Sequence, residues 1–228
     1  MDKKEINSDY GSQSIYYEKY YEALNVRGGG IGSRTFQKLH QAMEKPYNKQ
    51  FFAKVLEIGA GTGEHLDFVN HQYDEYFVTD IRKPILAPSW FGNPKISCLE
   101  ANAEALPFQD ESFDRIISTC LLHHVEKPEK VLTEILRLLK ADGKVMIYLT
   151  CDPGLMTRFV RKLTTQRAAE RAGYRGFDLF MAREHRNHIG SLLSLVKFVF
   201  RDKTVRIKYV PFFIPSWNLN GSVIIHIS

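Results

Sequence analysis

The chain has 228 residues, of which 44% are apolar and 25% are charged, and its formal net charge is +5 at pH 7. This composition is typical of one globular domain with a buried core, and the length excludes two large independent domains. No apolar run approaches the roughly 20 residues that span a bilayer, and the polar residues 1–5 resemble neither a secretory signal nor a membrane anchor.

Charge is distributed unevenly along the chain. Residues 151–228 hold 13 Lys and Arg against 5 Asp and Glu, whereas residues 1–150 carry a net charge of −3. A basic surface of this kind is either simply solvated or faces an anionic partner, such as a phosphorylated substrate, a lipid headgroup or a nucleic acid.

The three cysteines, Cys98, Cys120 and Cys151, have neither metal-ligand nor CxxC spacing. An odd number of thiols without a signal peptide is typical of a reducing compartment. We therefore expect a cytoplasmic protein without a metal site. The basic C-terminal region leaves open a peripheral position at the inner face of a membrane.

The first fifty residues are expected to form a helical lid. One helix begins at Ser33, a residue type that favours helix N-caps, and ends at Pro46. Tyrosines cluster ahead of this helix, and Tyr16, Tyr17 and Tyr20 are candidate substrate-binding residues if they lie over the cofactor. Packing of an amphipathic helix explains the same tyrosines equally well.

Strands and helices alternate over residues 51–150. Short apolar runs predict buried parallel strands at residues 55–58, 76–79, 96–99, 113–119 and 144–150. Helices are expected at residues 64–71 and 129–140, with Gly143 as the stop after the second. This alternation predicts an α/β fold, a Rossmann-like and mostly parallel sheet with helices on both faces.

The alternation lapses after Cys151. A basic helix is expected at residues 156–173 and a more apolar one at residues 184–200, so residues 151–202 form a helical insertion that caps the acceptor. Strands at residues 204–210 and 222–227 close the chain as a terminal antiparallel hairpin within residues 203–228. The whole chain, 1–228, is predicted to be a single domain with seven strands and a cofactor-binding core at residues 51–150.

A glycine-rich turn directly follows the first predicted strand, with the sequence Glu57-Ile58-Gly59-Ala60-Gly61-Thr62-Gly63. Glycines allow a tight turn and a close approach of the ligand, and the start of the next helix presents free N–H groups. A dinucleotide fingerprint would place the third glycine one residue later. The shorter spacing and the Glu57 carboxylate favour the amino-acid end of S-adenosylmethionine over a pyrophosphate.

Polar residues also follow the next two predicted strands. Asp80 ends the second strand, where its carboxylate can accept both hydroxyls of a ribose. Asn102 follows the third strand, where its amide can hydrogen-bond the adenine amine while the backbone of Ala103 and Glu104 packs along the ring. Three such signals in this order predict an S-adenosylmethionine site.

With these motifs the chain resembles the class I S-adenosylmethionine-dependent methyltransferases, in the branch related to ubiquinone and menaquinone biosynthesis. The resemblance covers residues 54–150 and implies S-adenosylmethionine as cofactor and methyl transfer as activity. One departure is Asn102, where the family commonly has Asp. The matching segments are residues 55–63, Asp80 and residues 102–108, 112–117, 122–125 and 138–144.

The resemblance also implies roles for individual residues. The methionine moiety is held by the turn residues Glu57, Gly59, Ala60, Gly61 and Gly63. The ribose is held, and the adenine flanked, by Asp80 and Ile81. The adenine edge meets Asn102, Ala103 and Glu104, and the methionine ammonium is received by the Cys120 carbonyl. Leu121 lines the acceptor pocket.

Histidines are the candidate proton acceptors. Methyl transfer is a direct displacement, in which an oxygen acceptor usually needs a base, whereas an amine deprotonated at neutral pH may need none. His123 and His124 follow the fourth strand, where the pocket should open, although Leu-His-His-Val recurs in the family and a structural role stays open. His185 is a third candidate base, and His185 and His188 are candidate substrate contacts.

The expected acceptor is a small-molecule, sugar or lipid-linked group that is methylated on O or N. An anionic acceptor is favoured by Arg158, Arg161, Lys162, Arg167, Arg171 and Arg175. No Asn/Asp-Pro-Pro-Tyr motif follows the fourth strand, which argues against nucleic-acid bases. Two alternatives stay open, an NAD(P)-binding oxidoreductase and a non-catalytic S-adenosylmethionine-binding module.

Aromatic residues are frequent near the C-terminus, including Phe198, Phe200, Tyr209, Phe212, Phe213 and Trp217. They either pack the terminal hairpin or form an apolar pocket or lipid-facing surface. Packing is the interpretation that the sequence favours.

Overall fold

A seven-stranded sheet organises the part of the chain that the structure, a computed structural model, describes, residues 31–84 and 86–228. The strands are β1 Phe51–Ile58, β2 Gln72–Asp80, β3 Ile96–Glu100, β4 Phe113–Thr119, β5 Leu139–Thr150, β6 Val205–Val210 and β7 Ser222–Ile227. Their order across the sheet is β3-β2-β1-β4-β5-β7-β6. The first five run parallel, and β7 lies antiparallel between β5 and β6, which confirms the predicted sheet and hairpin.

The central strand β1 marks where the strand order reverses. It pairs with β2 on one side and with β4 on the other, and the next strand continues outward in each direction. Ligands of open α/β sheets bind outside the carboxyl ends of the strands at such a switch point. The strand order therefore predicts a ligand-binding site among the loops after β1, β2 and β4.

Helices cover both faces of the sheet, as predicted. The α-helices of the described residues are α1 Ile31–Glu44, α2 Pro128–Leu138, α3 Leu155–Leu163, α4 Thr165–Arg171, α5 Phe177–Glu184 and α6 Ile189–Val199. Short 3₁₀ helices span Lys45–Tyr47, Glu64–Phe68 and Pro88–Trp90. None of the helices within residues 31–84 and 86–228 is long and apolar enough to cross a bilayer.

Two hydrophobic cores separate the helices from the sheet. On one face, buried residues of α2 and α6 pack against β4 and β5 through side chains such as Val131, Leu192 and Ile116. On the other face, the end of α1 contributes Met43, which packs in a cluster with Ile117. Because successive strand residues point to opposite faces, adjacent Ile116 and Ile117 serve different cores.

A buried charge cluster attaches α1 to the sheet. Glu44, the last residue of α1, and Arg115 of β4 are both inaccessible, and Arg115 Nη1 lies 2.9 Å from Glu44 Oε2. The rings of His65 and His71 contact the same carboxylate at 2.9 and 3.2 Å. Burial alone would raise the pKa of Glu44, but the hydrogen bonds from His65, His71 and Arg115 outweigh it and hold the pKa below its ordinary value.

The junction between α2 and β5 differs from the sequence prediction. The helix ends at Leu138 and the strand begins at Leu139, so Gly143 lies inside β5 and does not stop the helix. A Cβ at Gly143 would lie 2.7 Å from Leu139 Cδ1, so close packing explains this glycine. The predicted strand start at residue 144 was wrong because residues 140–142, which include the charged Lys140 and Asp142, belong to the strand.

Three predicted helices also differ. The helix expected at residues 64–71 is the 3₁₀ helix Glu64–Phe68, and the helix expected at residues 156–173 is interrupted at Thr164, whose φ and ψ are −115° and −92°. The helix expected at residues 184–200 begins only at Ile189. The N–H groups of Arg186 and Asn187 donate to the His123 carbonyl, and this tertiary contact holds the preceding turn out of a helix. The separate α5 was not predicted.

Candidate cofactor and acceptor sites

The glycine-rich turn leaves β1 and folds back over β2. Gly59, Gly61 and Gly63 all have positive φ values, +71°, +58° and +74°. The N–H groups of Gly59 and Ala60 donate to the Thr79 carbonyl at 2.8 and 3.1 Å, which holds the turn against the end of β2. Only glycine adopts such conformations at three alternate positions without strain, so the backbone conformation explains the spacing of the glycines.

Two of the glycines are also required by space. A Cβ at Gly59 would lie 2.7 Å from Leu121 Cδ1, and one at Gly63 would lie 2.5 Å from Leu86 Cδ2. The nearest atom to a Cβ at Gly61 would be a Glu64 oxygen at 4.0 Å. The turn is therefore packed closely on two sides, while Gly61 retains room above it.

Glu57 is a buried carboxylate directly below the turn. Its Oε2 accepts a hydrogen bond of 2.7 Å from the Tyr76 hydroxyl, and within the described part of the chain Oε1 has no hydrogen-bond partner. Burial raises the pKa of Glu57. An unpartnered buried carboxylate oxygen is costly, so this atom is a candidate acceptor for a ligand's donor.

Asp80 and Ile81 lie beside the turn at the end of β2. Asp80 Oδ2 accepts the Gly61 N–H at 3.0 Å and Oδ1 accepts the Arg82 N–H at 3.2 Å. These bonds fix the carboxylate and leave each oxygen further lone pairs for hydroxyl donors. The Ile81 side chain is 63% exposed, which gives an apolar surface next to that carboxylate.

The segment after β3 forms an Asx turn. Asn102 Oδ1 accepts the Glu104 N–H at 2.9 Å, so the amide oxygen that we expected to meet an adenine amine already has one backbone partner. Ala103 is half-buried, and Glu104 Oε1 accepts the Lys127 N–H at 3.2 Å. The adenine contact of Asn102 therefore depends on the remaining lone pair.

Cys120 takes a left-handed conformation where β4 ends. Its φ is +56°, which is uncommon for a residue other than glycine, and its N–H donates to the Tyr148 carbonyl at 2.9 Å. Burial, with the nearby carboxylates of Asp152 and Glu64, raises the pKa of its thiol to about 12. The thiol is therefore protonated at neutral pH, and the backbone conformation is strained for a residue other than glycine.

Three predicted histidines come together at the carboxyl ends of β4 and β5. The His185 ring stacks on His123 with centroids 5.0 Å apart and meets His124 edge-on, also at 5.0 Å. His123 is inaccessible, and its Nδ1 lies 2.8 Å from the Asn187 carbonyl. Burial and the neighbouring His185 lower the pKa of His123 to about 4. His188 is exposed at the start of α6.

Acidic residues that the sequence analysis did not single out complete this histidine cluster. Asp152 Oδ2 lies 2.7 Å from His185 Nδ1, accepts the Thr150 hydroxyl at 3.0 Å and pairs with Arg161. Glu184 Oε2 lies 3.4 Å from His124 Nδ1. Asp152 follows β5 by two residues, and an acid after a strand is the signal that pointed to Asp80.

Comparison with known proteins identifies the family of this domain. Residues 56–147 match the family model described as a methyltransferase domain. This part of the chain is a class I S-adenosylmethionine-dependent methyltransferase domain, and its cofactor is S-adenosylmethionine.

Relatives of the methyltransferase domain differ in their named activities. A demethylmenaquinone methyltransferase of Renibacterium salmoninarum is 32% identical over 94 residues, which are 41% of this chain and 40% of the relative. The mitochondrial arginine-hydroxylase NDUFAF5 of Mus musculus is 36% identical over 117 residues, 50% of this chain and 32% of that protein. The chain therefore spans less than half the length of these two relatives.

Solved structures share the fold over nearly the whole chain. The PH0226 protein of Pyrococcus horikoshii has a TM-score of 0.60 and 17% identity, and the match covers 95% of this chain and 99% of that one. At this identity the likeness shows the fold alone.

The methyltransferase domain offers residues that fit S-adenosylmethionine. The Glu57 oxygen without a partner and the Cys120 carbonyl can accept from the ammonium, and the turn leaves room above Gly61 that a Cβ would enter. The ribose and adenine positions fit the fixed Asp80 carboxylate and the exposed Ile81. Of the predicted substrate contacts, Leu121 touches the turn, whereas Tyr16, Tyr17 and Tyr20 lie outside the described residues.

Proposed function

We propose that the chain transfers a methyl group from S-adenosylmethionine to an O or N atom of a small anionic or glycan/lipid-linked acceptor. The observation that carries this proposal is the pair of His185 and Asp152 at the carboxyl edge of the sheet, beside the residues that follow β4. It supports the proposal by providing a proton acceptor beside the residues that follow β4.

His185 is suited to take a proton from the acceptor. Asp152 Oδ2 lies 2.7 Å from His185 Nδ1, and a carboxylate this close favours the proton on Nδ1, which leaves the Nε2 lone pair to accept. Burial lowers the pKa of His185 below its ordinary value, despite the opposing effect of Asp152, so the ring is neutral at pH 7. A neutral, oriented imidazole is what general-base catalysis needs.

The proposed methyl transfer needs no reactant besides S-adenosylmethionine and the acceptor. When bound, S-adenosylmethionine supplies an activated methyl group on a positively charged sulfur. The acceptor atom forms the new bond to the methyl carbon, and the electrons of the broken carbon–sulfur bond remain on sulfur. The acceptor proton moves to His185 Nε2, and the chain's main contribution is alignment of the two partners.

The other two histidines have different roles in this proposal. His124 is partly exposed and faces Glu184, so it is the second candidate for contact with the acceptor. His123 is buried between Asn187 and Thr150, and its ring stacks on the His185 ring and so holds it in place. We therefore assign His123 to positioning and do not assign it proton transfer.

The acceptor side is the insertion at residues 151–202, with residues 1–50 as the proposed lid. Exposed basic residues of the insertion favour an anionic acceptor: Arg158, Lys162, Arg167, Arg171 and Arg175. The demethylmenaquinone methyltransferase relative acts, by its name, on demethylmenaquinone, which supports a small-molecule acceptor. Peripheral contact with a membrane fits a lipid-linked acceptor.

Calorimetry with S-adenosylmethionine and with its demethylated product tests the donor site. Asp80→Ala is expected to weaken binding by roughly 10- to 100-fold, because hydrogen bonds to a charged acceptor contribute about 1.5–3 kcal/mol each. Asp74→Ala is the matched control, since Asp74 lies exposed near the other end of the same strand. Wild-type protein that binds neither compound, or that binds NADH instead, would contradict the proposal.

Transfer of labelled methyl groups to lipid-soluble and water-soluble fractions of a cell extract tests the chemistry. His185→Gln is expected to lower turnover by about 100-fold or more, with the affinity for S-adenosylmethionine unchanged. Asp152→Asn should lower turnover and shift its pH profile, whereas Asp178→Asn, at an exposed acid of α5, should change neither. Tight binding without transfer to any fraction would favour the non-catalytic alternative or chemistry like that named for the mouse relative.

A further inference from the structure

Helix α3 presents its apolar side to solvent. Leu155, Phe159 and Leu163 are spaced four residues apart and form one stripe, and the Leu155 and Phe159 side chains are 67% and 63% exposed. Val160 extends the stripe and is also exposed. A helix at the surface of a globular protein normally buries this side.

The polar side of α3 faces the protein. The Thr157 hydroxyl donates to the Cys151 carbonyl at 3.2 Å, and Arg161 pairs with the buried carboxylate of Asp152. The helix is thus attached through hydrogen bonds and an ion pair, which leaves its hydrophobic stripe without a partner within the described residues. This orientation is the reverse of ordinary amphipathic packing.

The loop between β6 and β7, residues 211–221, continues the same surface. It touches the first turn of α3, where the Met156 N–H donates to the Asn218 carbonyl at 3.0 Å. Its shape is held by Asn220, whose buried amide donates to the Ile214 and Ser216 carbonyls. Its exposed apolar residues are Phe212, Phe213, Ile214, Trp217 and Leu219.

These exposures correct the packing interpretation of the C-terminal aromatic residues. Of the six that the sequence analysis named, Phe200 is buried and Tyr209 is half-buried, whereas Phe213 is 65% exposed. Exposed apolar patches of this kind mark interaction surfaces more often than chance.

Positive charge surrounds the apolar surface. Arg158 and Lys162 are exposed along one side of the α3 stripe, and Lys208 Nζ lies 5.2 Å from the centroid of the Phe213 ring. The C-terminal part of the chain, residues 151–228, carries 13 basic against 5 acidic residues. An apolar stripe flanked by Lys and Arg is complementary to a bilayer with anionic headgroups.

We propose that α3 and the β6–β7 loop form a docking surface for a membrane that contains anionic lipids. The apolar side chains enter the interfacial region while Arg158, Lys162 and Lys208 meet the headgroups. A second copy of the chain is disfavoured as the occupant, because a symmetric contact would bring the same positive residues together. The surface rests on and deepens the proposed function by naming the residues of its membrane contact, and it adjoins the proposed acceptor side through the contact between Arg161 and Asp152.

Vesicle flotation with the full chain tests this docking surface. The wild type is expected to float with vesicles of phosphatidylglycerol and phosphatidylcholine, to bind pure phosphatidylcholine more weakly and to dissociate when salt rises from about 0.1 M to about 0.5 M. The double variant Phe159→Ser/Phe213→Ser should lose at least about tenfold in partitioning. Arg158→Gln and Lys162→Gln should each cost about fivefold on anionic vesicles alone.

Phe198→Ser is the matched control, since Phe198 is exposed near the far end of α6 from Asp152. It should leave partitioning unchanged. Absence of flotation by the wild type overturns the proposal, whether residues 1–30 or a protein partner covers the surface. A wild-type dimer that Phe159→Ser converts to a monomer also overturns it. Binding of S-adenosylmethionine by the double variant separates failure of docking from failure of the proposed function.

Discussion

Backbone conformation and close packing both require glycine at position 59. Its φ of +71° disfavours any side chain, and a Cβ there would press on Leu121, which follows the strained Cys120. The turn after β1 and the segment after β4 therefore approach each other more closely than any other residue type would allow. Under the proposed function, the donor and acceptor sides of the site meet at this contact.

Gly59→Ala tests that contact. We expect a loss of about 1–2 kcal/mol in the free energy of unfolding from the left-handed backbone, plus a further loss from the clash. Binding of S-adenosylmethionine should weaken at least about tenfold, because the turn must move. Urea denaturation and calorimetry measure the two effects.

Gly92→Ala is its control, because Gly92 has a φ of +75° and a Cβ there would have nothing within 4 Å. It should lose only the part of the free energy of unfolding that comes from the left-handed backbone, and its affinity for S-adenosylmethionine should not change. Equal effects of the two substitutions would mean that the approach of Leu121 is unimportant.

Individual residues of the donor side could be predicted because they follow a local rule. Each polar or glycine position comes directly after a strand, and parallel strands end at one edge of the sheet. Asp152 obeys the same rule but was missed, because its partner His185 lies 33 residues away on an unpredicted helix–turn boundary. Local patterns do not reveal which distant side chains meet.

At the scale of elements, one buried carboxylate provides the ionic attachment of α1 to the sheet. Glu44→Ala is expected to lower the free energy of unfolding by about 3–5 kcal/mol, because it leaves Arg115 charged and unpaired in the core. Glu75→Ala is the control: its pair with Lys54 is about half exposed, at 3.4 Å, and its loss should cost about 0–1 kcal/mol.

The double variant Glu44→Leu/Arg115→Met refines that prediction. Removal of both charges should recover much of the loss, because the desolvation cost of Arg115 disappears with its charge. Recovery in urea denaturation would identify the unpaired charge as the cause. An equally unstable double variant would instead show that the ion pair itself, with His65 and His71, stabilises the fold.

Elements were predicted most accurately where periodicity reflects burial. The expected ranges 113–119 and 222–227 coincide with β4 and β7, whose residues are nearly all buried. The insertion was predicted less well, because tertiary contacts interrupt it: hydrogen bonds to the His123 carbonyl end one helix before the next begins. Propensity cannot anticipate an acceptor from another part of the chain.

At the scale of the whole molecule, buried neutral histidines make stability depend on pH. Burial, with the positive charge of Arg115, lowers the pKa of His226 to about 4, and burial with His185 does the same for His123. Because both pKa values lie below the ordinary 6.5, the unfolded chain binds more protons between pH 6.5 and 4. His123, which is inaccessible, should therefore remove about 1.4 kcal/mol of stability per pH unit as the pH falls through this window, and the partly exposed His226 should remove less.

Urea denaturation at several pH values measures this slope. His226→Gln should reduce the slope by the share of one histidine. Tyr47→Phe removes the hydroxyl that lies 2.9 Å from His226 Nδ1 but keeps the titrating ring, so it should lower stability at pH 7 and retain the slope. A wild-type stability that is flat between pH 7 and 4 would contradict the expectation.

One hydrogen bond closes the base of the insertion at residues 151–202. The Ile189 N–H donates to the Asp152 carbonyl at 2.9 Å, so residues 153–188 leave and rejoin the β5–α6 connection at almost the same point. A segment whose two ends meet can be lengthened, shortened or replaced with little change to the scaffold on either side. Under the proposed function, in which this insertion binds the acceptor, acceptor preference can diverge in evolution by exchange of residues 153–188 while the methyltransferase domain at residues 56–147 is inherited intact.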